Sequence, residues 1–165
     1  MDTSMFFENL VYTRYQAVHI DDNLFDGAEL VDNGILYYDN GSPHILLYKI
    51  PRNNKYYLFY KIDDDVKTYS SRWLITSDHE SDKLLLQDVM NFMKGNVGLQ
   101  ELFTKRTRDV FILENNKDQN CIMKLSKWEL VPQFYIPSAF FKMEPTEYSI
   151  GYVKKLENIV KRIKP

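Results

Sequence analysis

The chain has 165 residues, 44% of them hydrophobic and 15% aromatic, with a formal net charge of −2. This length predicts a single domain over residues 1–165, with a core large enough to need no disulfide or metal. We expect neither an export signal nor a membrane span, because no basic-then-apolar leader and no apolar run of about 20 residues is present, and the single cysteine, Cys121, favours a reducing, cytoplasmic location.

The first half of the chain predicts an antiparallel meander. Residues 1–34 predict only a short strand or helix around Phe6, Phe7, Leu10 and Val11. Four strand-like segments follow, joined by short polar turns that contain Asn, Asp and Gly. The predicted strands are 35–38, 44–50, 55–62 and 69–76, and the turns are 39–42, 51–54 and 63–65.

The second half mixes helices and strands. Helical spacing of apolar residues begins after Ser77-Asp78, with Ser81 as a candidate cap and Gly95 as a stop. The predicted elements are helices 82–94 and 99–105, strands 109–114 and 120–126, an extended edge segment 128–136, and a helix 146–164. They predict an α+β fold, an antiparallel sheet of about five to seven strands with helices packed against it and an amphipathic C-terminal helix.

The two glycines of FMKGNVGLQELF, residues 92–103, allow two interpretations. In a KH-like arrangement, the Gly-x-x-Gly loop would clamp a nucleic-acid backbone, and the local order β-α-α-β-β-α resembles that fold. In the other, Gly95 ends one helix, Val97 packs as a hydrophobic staple and Gly98 caps the next helix. The loop lacks a basic residue and the preceding meander has no place in a KH domain, so we favour two helix ends.

Four basic residues beside this corner define the nucleic-acid alternative. Lys94, Lys105, Arg106 and Arg108 lie within fifteen positions of one another and would contact phosphates.

Charge and helix patterning favour contacts with another protein. Residues 1–66 carry five basic and eleven acidic side chains, a balance of −6, whereas residues 142–165 carry six and three, a balance of +3. This fits ordinary solvated faces, an acidic protein-binding surface or head-to-tail self-association. The C-terminal helix has an apolar stripe that packs on its own sheet or pairs with another subunit in a homo-oligomer. The stripe contains Ile150, Val153, Leu156, Val160 and Ile163, and the last four are the candidate interaction residues.

No metal or cofactor site is predicted from the sequence. His19, His44 and His79 are far apart, and no His-x₃-His or Cys-x₂-Cys spacing occurs. The segment 19–22 contains His and two Asp residues, which are potential ligands, but a polar loop with solvated carboxylates explains them. Cys121 has no histidine near it in sequence and is interpreted as an inert thiol.

Catalytic motifs are equally lacking. Asp63-Asp64-Asp65 is predicted to be a hairpin turn, because an Asp side chain in a turn can accept a hydrogen bond from the nearby backbone. A restriction-type nuclease needs an acid two residues before a lysine on a strand, and Asp65 before Lys67 is the only such pair. No P-loop, nucleophile elbow or dinucleotide motif is present. We expect no enzymatic activity, with a metal-dependent hydrolase as the remaining alternative.

Four segments resemble an uncharacterised, phage-associated bacterial domain family of unknown function. They are YYDNGSPHILLYKI (37–50), KYYLFYKID (55–63), RWLIT (72–76) and LLLQDVMNFMKGNVGLQELF (84–103). The corner residues that fit the family pattern are Phe92, Gly95, Val97, Leu99, Leu102 and Phe103. The resemblance covers about residues 35–135 and implies a meander followed by a helix-Gly-helix corner. It also implies a role in phage–host conflict, but no catalytic residues.

The sequence therefore predicts a non-enzymatic protein-interaction module, a subunit or inhibitor in bacterial phage defence or mobile-element conflict. The alternative is a nucleic-acid-binding protein that uses the basic residues around the 94–108 corner.

Overall fold

Residues 17–39, 42–65, 70–116, 119–125 and 142–163 are described by the computed structural model. They form seven strands and three helices. The strands are β1 (Ala17–His19), β2 (Glu29–Asp39), β3 (Ser42–Ile50), β4 (Lys55–Asp65), β5 (Ser70–Asp78), β6 (Arg108–Asn115) and β7 (Asn120–Leu125). The helices are α1 (Asp82–Met93), α2 (Leu99–Phe103) and α3 (Glu147–Arg162).

All seven strands belong to one antiparallel sheet with the order β1-β7-β6-β5-β4-β3-β2. The predicted α+β fold is confirmed, as is the meander, since β2 to β5 pair with their neighbours in chain order. Among the described strands, β1 and β2 lie at the two edges. The connection through α1 and α2 returns the chain to β6, which lies beside β5.

The two faces of the sheet carry separate hydrophobic clusters because side chains alternate along each strand. On β5, Leu74 belongs to the cluster under the helices, while its neighbour Ile75 belongs to the cluster on the other face. The second cluster is aromatic, and Phe25 of the 20–28 segment makes edge contacts there with Tyr57 and Phe59 at 5.2 and 5.3 Å. Both faces of the central strands are therefore covered.

The run Asp63–Asp65 is a strand and not the predicted turn. The end of β4 pairs with the start of β5, so that Asp63 lies opposite Arg72 and Asp65 opposite Ser70. An irregularity in register between Lys61 and Asp63 lets the ladder continue past the last apolar residue. Lys67, the second half of the proposed nuclease pair, lies outside the described residues.

Strand β2 is longer than predicted and is irregular. It begins at Glu29, six residues before the predicted start, and it contains a bulge between Leu30 and Ile35. Across this bulge β2 advances five residues while β3 moves only two, from Tyr48 to Leu46. The bulge interrupts the hydrophobic alternation that would have revealed the strand.

Several predicted segments lie outside the described residues, namely the Phe6–Val11 region, the tip of the first hairpin at 40–41, the extended segment 128–136 and Lys164. The pairing of Asp39 with Ser42 is the register that a two-residue hairpin produces. Within the described part of the chain, no helix combines the length and hydrophobicity needed to cross a membrane.

Candidate functional site

Helix α3 begins where the sequence predicted. Thr146 is the N-cap; its side chain accepts a hydrogen bond from the Ser149 backbone N–H at 3.1 Å, and the Ser149 hydroxyl accepts one from the Thr146 N–H at 2.8 Å. This reciprocal capping box satisfies two of the backbone donors that every helix start leaves unpaired. The N-terminal end of α3 is therefore rigidly placed.

The apolar stripe of α3 is buried inside the chain, as expected for a helix that packs on its own sheet, which is one of the two arrangements that the sequence allowed. Val153, Leu156 and Val160 are 4%, 0% and 8% exposed, and Ile163 packs half-buried against the same cluster. They lie on the face that packs towards α1 and the sheet, as the apolar side of an amphipathic helix does. Ile150, expected in the stripe, is 50% exposed and lies on the far flank of the helix.

Two tyrosines fasten α3 to the bulge of edge strand β2. The Tyr152 hydroxyl donates to the Val31 carbonyl at 2.7 Å, and the Tyr148 hydroxyl donates to the Ile35 carbonyl at 2.6 Å. A Cβ on Gly34 would lie 2.7 Å from the Val31 oxygen, so this close packing depends on glycine. Each hydroxyl thus satisfies a backbone carbonyl of β2 and ties this strand to the helix.

Changing Tyr152 to Phe is expected to lower the free energy of unfolding by about 1–2 kcal/mol, because the half-buried Val31 carbonyl loses its donor. Changing Tyr148 to Phe should cost less, since Tyr148 is 53% exposed and water can replace its hydroxyl. Urea denaturation of the two variants checks this order. Equal losses would show that Tyr152 is not the main anchor.

An apolar hollow opens between β2 and the N-terminal end of α3, with a volume of about 640 Å³. Its walls include Leu36 and Tyr37 of β2, Met143, and Tyr148 of α3, and they are more apolar than polar. Four of its eight lining residues in the described part of the chain are exposed, and on this side the hollow is open. They are Lys142, Glu144, Thr146 and Tyr148.

A basic hollow of about 570 Å³ lies at the other end of the same helix. It is lined by Arg162 and Ile159 of α3 together with Lys49, Tyr56 and Asp82. The Lys49 ammonium lies 5.4 Å from the centre of the Tyr56 ring, which holds this cation over an aromatic face. Burial raises the pKa of Asp82, whose carboxylate accepts the Tyr56 N–H at 3.3 Å.

One flank of α3 connects the two hollows. Tyr148, Lys155 and Arg162 are spaced seven residues apart, so they lie in one line along the helix surface, and all three are exposed. The line is about 21 Å long at 1.5 Å per residue. We call these three residues and the two hollows the α3 flank. The apolar stripe alone does not reveal this flank; its signal in the sequence is the Tyr-Lys-Arg spacing beside the stripe.

The basic corner is not the surface that the nucleic-acid alternative requires. Arg108 is 1% exposed, its guanidinium paired with Asp78 and Asp88, so it cannot contact a phosphate. Lys105 is half-exposed and lies 3.7 Å from Asp88. Only Lys94 and Arg106 remain as exposed cations without a described ion pair.

The Asp78–Arg108 pair is structural. Asp78 is fully buried and accepts the backbone N–H groups of Glu80 and Ser81, each at 3.0 Å, at the start of α1. It also accepts the Thr107 hydroxyl at 2.5 Å. Ser81 occupies the predicted N-cap position, but its side chain makes no capping bond. The carboxylate of Asp78 instead holds the backbone immediately before the helix, and Arg108 neutralises that charge.

The glycine corner is two helix ends, as predicted, and its backbone is covered. Gly95 has φ +80°, and its N–H and that of Asn96 bond to Phe92 and Asn91 in a Schellman motif. Gly98 is the N-cap of α2. A Cβ on Gly95 would lie 2.5 Å from the Met143 carbonyl oxygen. The chain itself occupies the place where a clamped phosphate backbone would lie.

Comparison with protein-family models, curated proteins and solved structures finds no match. The resemblance to a bacterial family of unknown function therefore stays a prediction, and the function rests on the geometry of this chain.

Proposed function

We propose that the protein is a non-enzymatic binding module that holds another polypeptide along the α3 flank. The observation that carries this proposal is the open apolar hollow beside Tyr148, at the edge of the sheet. Small-molecule sites enclose most of their ligand, whereas an open-sided apolar hollow next to a half-exposed tyrosine suits one anchoring side chain of a larger partner.

The charges of the flank define the partner's chemistry. Beyond the apolar hollow the surface becomes basic, with Lys155 and then Arg162 along the helix and Lys49 beside Arg162 in the basic hollow. The partner segment would place an apolar side chain in the apolar hollow and carboxylates against Lys155 and Arg162. Charged groups of this kind contribute mainly to specificity and association rate, and the anchor contributes most of the affinity.

The flank is pre-organised, which supports a binding role. The capping box at Thr146 and the two tyrosine hydroxyls on β2 hold α3 in place before any partner arrives. Binding to a rigid surface avoids the entropy cost of ordering it. A role as a cytoplasmic subunit or inhibitor in bacterial phage defence is our proposal for the biological setting, and it rests on the resemblance alone.

The proposal is tested by retention of a partner on the tagged full-length chain in lysate of its native host, treated with nuclease. Tyr148→Ala should reduce retention about tenfold or more, because a loss of 1.4 kcal/mol is tenfold. Lys155→Glu should reduce it as well, and more at low salt than at high salt. Tyr148→Phe, which keeps the ring, should retain most of the binding.

Matched controls lie on the same helix. Ile150 is as exposed as Tyr148 but lies about 160° around the helix axis, and Lys154 neighbours Lys155 outside the line. Ile150→Ala and Lys154→Glu should leave retention unchanged. Equal loss of the partner in the two flank variants, Tyr148→Ala and Lys155→Glu, and in the two control variants would refute docking on the α3 flank. A partner that is retained only when nuclease is omitted would refute it as well.

A further inference from the structure

The fold brings together three metal-ligating side chains that are separated in the sequence. His19 ends β1 and pairs with Met123 of β7, which places it diagonal to Cys121 on the same face of the sheet. The Ile20 N–H continues the pairing by donating to the Ile122 carbonyl at 3.1 Å. Cys121 is thus held beside a histidine that lies about one hundred residues earlier in the chain.

Asp22 completes the group from the turn that follows β1. Its Oδ1 accepts the Ile122 backbone N–H at 3.1 Å and lies 2.7 Å from His19 Nε2. The backbone of β7 therefore fixes this carboxylate next to both the imidazole and the thiol. The ligand atoms of His19, Asp22 and Cys121 all lie within 4.8 Å of one another.

We propose that His19 Nε2, a carboxylate oxygen of Asp22 and Cys121 Sγ bind one Zn²⁺ ion, with water as the fourth ligand. Zinc–ligand bonds of about 2.0–2.3 Å place tetrahedral ligands about 3.3–3.8 Å apart. The group reaches this spacing by small side-chain movements in which zinc replaces the hydrogen bond between His19 and Asp22. The His19 and Asp22 side chains are 57% and 41% exposed, so water reaches the open position.

The donor set selects the metal. Magnesium and calcium prefer all-oxygen sites, whereas an imidazole, a thiolate and a carboxylate together suit zinc. The Ile122 N–H orients the Asp22 carboxylate from outside, as outer-shell donors do in zinc sites. The bound ion would connect the short edge strand β1 and its turn to β7. This inference does not depend on the α3 flank.

Cobalt(II) is the probe, because it replaces zinc and reports thiolate ligation by a charge-transfer absorption. Titration of the reduced full-length chain should show one Co²⁺ per chain with this absorption, and Zn²⁺ should displace it. Cys121→Ser should abolish the absorption. His19→Ala and Asp22→Asn should each weaken binding by more than the roughly 10- to 100-fold lost with an outer-shell partner.

The matched control is His79→Ala. His79 lies 3.6 Å from Asp109 and is similarly exposed, but no cysteine completes that pair. It should bind Co²⁺ as the unchanged protein does. Circular dichroism checks that each variant is folded. Of the three ligand variants, His19→Ala is expected to disturb the fold least, because the His19 side chain is exposed. Absence of the charge-transfer absorption, or equal weakening by His79→Ala and His19→Ala, would overturn the zinc site.

Discussion

Replacing Arg108 with methionine is expected to lower the free energy of unfolding by about 3–5 kcal/mol. Methionine fills much of the volume, but the carboxylate of Asp78, 0% exposed, loses the cation that neutralises it. Asp78 also holds the Glu80 and Ser81 N–H groups, so the start of α1 and the start of β6 should weaken together. Urea denaturation measures the loss.

An exposed ion pair provides the control for Arg108. Arg52 and Asp21 lie 2.6 Å apart with side chains 57% and 43% exposed, so Arg52→Met should leave the free energy of unfolding nearly unchanged. The double variant Arg108→Met/Asp78→Asn should lose less stability than the sum of the two single variants. The reason is that Asp78→Asn removes the buried negative charge that Arg108→Met leaves without a cation. Equal losses for Arg108→Met and Arg52→Met would contradict a structural role for the buried pair.

Replacing Gly95 with alanine is expected to cost about 2–5 kcal/mol. The left-handed backbone at φ +80° costs an alanine about 1–2 kcal/mol. The new Cβ would also lie 2.5 Å from the Met143 carbonyl oxygen, and relieving such overpacking costs about 1–3 kcal/mol more. The corner between α1 and α2 and the approach to α3 would both shift. Thermal and urea unfolding of the variant measure the loss.

Substitutions at two other glycines separate the backbone cost of Gly95→Ala from the cost of its contact with Met143. Gly27 has φ +75° but no atom within 4 Å of a new Cβ, so Gly27→Ala should cost only the backbone part, about 1–2 kcal/mol. Gly151 lies in α3 with the same free space, and Gly151→Ala should stabilise by about 0.5–1 kcal/mol. If Gly95→Ala cost no more than Gly27→Ala, the contact with Met143 would not matter.

Much of the fold followed from the sequence because local signals and the final structure agree. The turn at 51–54 joins β3 to β4 as predicted, and the helical spacing of apolar residues gave α1 and α3. Gly95 and Gly98 marked the helix ends. The misses have a common cause. The bulge in β2 and the polar end of β4 are set by pairing with a neighbouring strand, which no local pattern records.

The sites were less predictable because each depends on contacts between distant residues. From the sequence, Arg108 is predicted to be a surface cation; in the fold it is paired with Asp78, which lies thirty residues earlier in the chain. From the sequence, His19 and Asp22 are predicted to lie in a polar loop; the pairing of β1 with β7 places Cys121 beside them. The Tyr148, Lys155 and Arg162 line was visible at seven-residue spacing. The apolar hollow beside this line depends on the packing of β2 against α3, which residue spacing does not record.

Site-specific photocrosslinking tests the docking of a polypeptide on the α3 flank most directly. A photoreactive amino acid replaces Glu144 at the rim of the apolar hollow, and in a second chain it replaces Lys124 on β7. Strands β2 and β7 are five strand spacings apart, about 24 Å. After irradiation in the native host, position 144 should yield a discrete, nuclease-resistant adduct with one polypeptide, and position 124 should not. No adduct at 144, or the same adducts at both positions, would contradict the proposed function.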